Sequence, residues 1–132
     1  MQRNYRAIAA AALALFRCVP AIGEPATGSL PSAFDAGWHG AKVCEPLFEN
    51  ATMRAARCTF PPGGGHERHF HPPHWGYIVE GSTMRITTAA GTVDRELKAG
   101  TSWWSDGIAW HEAVNIGKTT AVYIIVEPKT AP

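Results

Sequence analysis

Residues 63–81, GGGHERHFHPPHWGYIVEG, constrain the fold more than any other part of this chain. Three glycines open the stretch, Pro72-Pro73 puts a short rigid corner in its middle, and Gly81 closes it. The pieces between these breaks read as two strands, Glu67–His71 and His74–Glu80. Alternation along the first sends His69 and His71 to one face, and Arg68 and Phe70 to the other. Three of the six histidines, His69, His71 and His74, fall within six residues, with His66 just ahead. Imidazole at this density is rarely a packing device, because each ring carries a polar nitrogen that needs a partner. The economical reading is a metal site that begins here and is completed by another histidine further along.

The rest of the chain has the texture of an all-β protein. Its 13 Gly and 10 Pro are spread as punctuation between short apolar runs. Lys42–Phe48 and Thr52–Phe60 come before the histidine strands. Met84–Thr88, Val93–Leu97, Ser102–Ser105, Trp110–Asn115 and Ala121–Glu127 come after them. That makes about nine short strands at the spacing of a sandwich or barrel, with no internal repeat. At 132 residues the chain suffices for one compact domain, 41–132, and not for two.

Residues 1–23 read as a signal peptide. Arg3 and Arg6 precede the apolar run Ala7–Phe16, and Ala21-Ile22-Gly23 offers a small-x-small cleavage site. Ten apolar residues do not cross a bilayer as a helix, so no membrane association is expected after cleavage. The mature protein is expected to be periplasmic or secreted. Residues 24–40 read as an N-terminal arm pinned by Phe34 and Trp38, with His39 on the surface. Cleavage removes three basic residues and no acidic one, taking the formal charge from +1 to −2. No basic stripe points to nucleic acid. Cys44 and Cys58 are then the only thiols, and they flank a turn around Asn50. Two readings stand: a disulfide in an oxidising compartment, or two small buried apolar side chains.

The spacing of the histidines and glycines then narrows the fold. His69-x-His71 begins six residues after Gly63, Gly81 follows His74 by seven, and Gly100 is followed by His111 and Asn115. This resembles the two motifs of the cupin superfamily, G-x5-H-x-H-x3–4-E-x6-G and G-x5-P-x-G-x2-H-x3-N, over roughly residues 60–127. The resemblance implies a single jelly-roll β-barrel whose motif residues converge on a divalent metal. Carried over by position, His69, His71 and His111 match the family's histidines, and Asn115 its asparagine. The family's glutamate falls at His74, Asp106 stands in place of proline, and Ile108 in place of the second glycine.

These departures shape the expected chemistry. With a divalent ion, three His and one Glu leave a net charge of +1, whereas four neutral His leave +2, which favours anionic substrates. Imidazole ligands also shift preference towards Fe, Ni, Zn or Cu. His74 is expected either as the fourth ligand or as a cap beside the ion. His66 reads as a loop residue outside the cluster, and Glu67 and Glu112 as surface carboxylates. Gly76, Trp103, Trp104 and Trp110 are expected around the substrate pocket. Trp103 and Trp104, adjacent on a strand, must face opposite ways. Asp106 is the candidate acid/base group at the barrel mouth. The expected partners are a small-molecule ligand or substrate and a second copy in a homodimer. Two function classes follow: a metal-dependent enzyme of dioxygenase type, or a metal- or ligand-binding protein without turnover.

Overall fold

In the computed structural model, which describes residues 29–129, the chain folds into strands without a helix among the described residues. The proposed signal peptide lies outside the described residues. Eleven strands run in order: β1 (Gly37–Trp38), β2 (Ala41–Lys42), β3 (Cys44–Glu49), β4 (Met53–Phe60), β5 (Gly65–His71), β6 (His74–Glu80), β7 (Thr83–Thr88), β8 (Gly91–Glu96), β9 (Ser102–Ser105), β10 (Ile108–Asn115) and β11 (Ala121–Pro128). The nine expected strands are all present, and the short β1–β2 ribbon is added from the arm.

The strands form two antiparallel sheets, β5-β10-β7-β8 and β3-β4-β11-β6-β9, whose inner faces share one core. Alternation decides which side chains enter it. On β4, Ala56, Cys58 and Phe60 are buried while Arg57 and Thr59 are exposed. On β6, His74, Gly76 and Ile78 are buried and Trp75 and Val79 exposed. From the facing sheet come Met84 and Ala113, so the core is apolar from both sides.

Polar bonds around Asn115 tie several connections together at one end of the barrel. Its Oδ1 accepts from Ser82 Oγ (2.8 Å) and Gly117 N (2.9 Å), and its Nδ2 donates to the carbonyls of Phe60 (2.7 Å) and Thr119 (2.8 Å). An asparagine that fills four bonds while 1% exposed ties three connections together, and it explains the second motif's asparagine without a metal. The arm is not loose. Phe70 N donates to Pro31 O and Ala33 N to Phe70 O, both at 3.1 Å, so residues 31–33 run along the edge of β5. Phe34 lies under the Arg54 guanidinium at 4.1 Å.

Cys44 and Cys58 sit directly opposite in the β3–β4 register and form a disulfide, which decides between the two readings of the cysteines. The bond is buried in the core and pins the edge strand β3 to its neighbour. Closing a loop of this length stabilises a fold by roughly 3 kcal/mol. Reduction with dithiothreitol, or a Cys44→Ala/Cys58→Ala double variant, should lower the melting temperature by roughly 10–20 °C for a domain this size. Calorimetry with and without reductant checks it.

Candidate metal centre

Strand pairing brings the cluster together. His69 and His71 point inward from β5, and His111 is the cross-strand partner of His69 on β10. Their Nε2 atoms form a triangle: 3.0 Å from His69 to His71, 3.1 Å from His71 to His111, and 2.8 Å from His111 to His69. All three rings are buried or partly buried, and their ligand atoms lie within 4.8 Å of one another.

The hydrogen bonds on the outer nitrogens fix what the inner ones can do. His69 Nδ1 donates to the Glu67 carbonyl at 2.6 Å, and His71 Nδ1 to Glu127 Oε1 at 3.3 Å. Those two rings therefore present Nε2 lone pairs, leaving at most one N–H, on His111, for three contacts. A further proton is not available near neutral pH. Burial holds His71 down to about 2 and His111 to about 3, with the neighbouring histidines adding to it, and burial lowers His69 as well. Three buried imidazole nitrogens that converge without enough protons fit an electron-pair acceptor. The three histidines could hold a metal ion.

His71 is held from behind by a carboxylate that the motif does not contain. Glu127 on β11 is fully buried, and its Oε2 accepts from Arg54 Nε at 2.8 Å and from the same guanidinium's other nitrogen at 2.6 Å. Burial raises the Glu127 carboxyl, while Arg54 pulls it down. The chain Arg54–Glu127–His71 sets the tautomer and the plane of the His71 ring, as outer carboxylates do for histidine ligands. His66 is buried as well and packs on His69, ring centroids 3.8 Å apart. Burial takes it to about 3, and its Nε2 has no hydrogen-bond partner among the described residues. It acts as a wall for the cluster.

Several expected residues take other places. His74 is buried, but it lies outside the Nε2 triangle: its ring stacks on His71 at 4.3 Å, and its Nδ1 donates to the Pro72 carbonyl at 2.9 Å. Gly76 opens no space beside the metal, because a Cβ there would run into the Trp103 ring, which covers it. Trp103 does line the cavity. Trp104 is 56% exposed on the outer face, and its Nε1 donates to Asp106 Oδ1 at 2.9 Å. That bond keeps the exposed Asp106 carboxylate on the outside and out of the cavity wall. Trp110 stands under the Arg68 guanidinium at 4.0 Å, outside the cavity.

His66 is missed by alternation for a physical reason. From His69↔His111 to His66↔Ala113, β5 spends three residues where β10 spends two. The extra residue is a bulge that returns His66 to the inner face. Glu127 had a readable signal: it continues the inward positions Ala121, Tyr123 and Ile125, and a carboxylate at such a position needs a partner. Nothing in the sequence near Arg54 identifies that partner.

His71, His74 and His111 line a cavity of about 740 Å³. Ile78, Ile86, Trp103 and Ile125 make much of the remainder apolar. That size suits a small organic ligand.

Comparison with known proteins places this geometry in a wider set. A family profile described as "Cupin domain" matches residues 56–127. No curated protein sequence matches the chain. Among solved structures, a cupin domain from Bordetella pertussis Tohama I is 22% identical, with a TM-score of 0.64, covering 71% of this chain and 95% of that one. The polyketide cyclase RemF from Streptomyces resistomycificus is 20% identical, with a TM-score of 0.55, over 76% of this chain and 78% of its own. An RmlC-like cupin from Shewanella frigidimarina NCIMB 400 is 18% identical at a TM-score of 0.51, covering 79% and 93%. At these identities the likeness concerns the fold.

Loss of the carboxylate behind His71 should weaken metal binding without removing a ligand. Glu127→Ala is expected to lower affinity roughly 10–100-fold and Glu127→Gln by less, read by competition with a fluorescent chelator.

Proposed function

The chain belongs to the cupin family, and we propose that it is an exported metal-binding member that acts as a dioxygenase-type enzyme on an anionic small molecule. The observation that carries this reading is the convergence of three imidazoles beside an open cavity. A structural site closes its coordination shell with protein; a catalytic one keeps positions free and a route to them. Three protein ligands and an adjoining cavity meet the second description.

A divalent iron, nickel, zinc or copper ion there supplies Lewis acidity and, for the redox-active metals, chemistry with dioxygen. The chain's own residues do the rest. His69, His71 and His111 would hold the ion, and Arg54 and Glu127 keep His71 in the tautomer that presents Nε2. Three neutral imidazoles leave the charge of a divalent ion uncompensated, and the nearby Glu127 is already neutralised by Arg54, so the site attracts anions. His74 takes the glutamate's place. With its Nδ1–H on Pro72, its Nε2 is an acceptor in the cavity wall, suited to hold a substrate proton. The apolar wall excludes water from the reacting atoms. A dioxygenase places both atoms of O2 in its product and needs no outside reductant.

Two further features belong to the same reading. The disulfide suits an oxidising compartment, in line with the signal-like N-terminus. A homodimer would use the outer face of the five-stranded sheet. There the register aligns Phe48, Ala55, Val126, Trp75 and Trp104 in one apolar row across all five strands. Such a row is complementary to its own copy across a two-fold axis.

Protein purified without added metal should carry about one transition-metal ion per chain. His69→Ala and His111→Ala should lose the ion, and His74→Ala should keep it while losing oxygen uptake with carboxylate or diketone substrates. Metal analysis and an oxygen electrode read both. Metal retention without oxygen uptake on any such compound would favour a binding protein without turnover; no metal in the wild type would overturn the site.

A further inference from the structure

The cavity carries a charge that the metal does not explain. On the exposed edge strand β8, Arg95 pairs with Met84, and Val93 with Ile86, so Arg95 and Val93 lie on the same face of the sheet as Met84 and Ile86 while remaining exposed to solvent. Its neighbour Asp94 faces the other way and is bound by Arg85 at 2.8 Å. Arg95 itself has no carboxylate within ion-pair distance among the described residues, and its side chain lines the cavity. Glu96 and Lys98, also at the rim, offset one another in formal charge.

Register gives the separation. His111 pairs with Thr88, and Met84, the partner of Arg95, pairs with Asn115. Four residues of extended strand therefore separate the level of the histidines from that of Arg95, about 13 Å. The cavity wall that the histidines and Arg95 share includes Ile86, Ile78, Trp103 and Ile125.

The geometry points to an elongated amphipathic acid as the ligand: an oxygen-bearing head at the histidine triangle, an apolar body on the order of 10 Å along the wall, and a carboxylate at Arg95. The placement of the head rests on the metal reading above; the anchoring of the carboxylate does not. An inward-facing charge on an edge strand can also serve only to discourage edge-to-edge pairing, and the experiment separates the two roles.

Decanoic acid, decanamide and decanedioic acid serve as probes in calorimetric titrations of the full mature chain, metal-free and zinc-loaded. In the metal-free chain decanoate should bind more tightly than decanamide, and Arg95→Ala should weaken decanoate about 10-fold and leave decanamide unchanged. In the zinc-loaded chain decanedioate should exceed decanoate, and Arg95→Ala should bring the two together. Equal binding of decanoate and decanamide, or an Arg95→Ala variant that keeps its affinity for decanoate, overturns the proposal. The second result together with new self-association would assign Arg95 to edge protection. A chain that binds no zinc yet keeps the Arg95-dependent preference for decanoate overturns the metal reading and leaves the carboxylate anchor standing.

Discussion

Mutual repulsion of nitrogen lone pairs governs this structure. Three buried or partly buried imidazoles converge, and two of them have already committed their only proton to an outward acceptor. Burial keeps further protons off, and a cation held there would relieve the cluster. The surrounding architecture can be understood as the means of holding polar rings in this unfavourable arrangement. Cross-strand pairing sets His69 against His111, the bulge packs His66 on His69, and the Arg54–Glu127 pair fixes His71.

The same economy appears in how the barrel treats its other buried polar groups. Asn115 satisfies four neighbours, and Glu127 is paired with Arg54. A buried polar atom left without a partner costs ~1–3 kcal/mol, which limits how many such groups a small core tolerates. The exception, His66 Nε2, lies against the cluster itself. Stability away from the site comes from apolar contact between the two sheets and from the Cys44–Cys58 bond. This division leaves the cavity free to be shaped for a ligand.

Strand order, turns and the three converging histidines were legible because alternation and glycine spacing act locally. Parity puts His69 and His71 on one face, and the resemblance to the cupin motifs adds His111. What escaped was set by contacts between distant segments or by single-residue irregularities. Arg54 and Glu127 meet across the β4–β11 pairing, 73 residues apart in sequence. His66 depends on a bulge that shifts parity by one. Trp103 and Trp104 were correctly expected on opposite faces, but only packing could show that Gly76 exists to admit the Trp103 ring. Asp106 is drawn outward by its bond to the exposed Trp104, a contact that motif position does not reveal. The disulfide was one of two open readings, and only the register Cys44↔Cys58 decides it.

The central claim is that a cation replaces the missing protons between His69, His71 and His111. The most direct measurement is X-ray absorption at the edge of the bound metal on the purified chain, compared with Glu127→Gln. The spectrum should show three imidazole nitrogens and exchangeable oxygen ligands around the metal, with the imidazole scattering altered when Glu127 is changed. A spectrum without imidazole scattering, or one identical in His69→Ala, would contradict the claim.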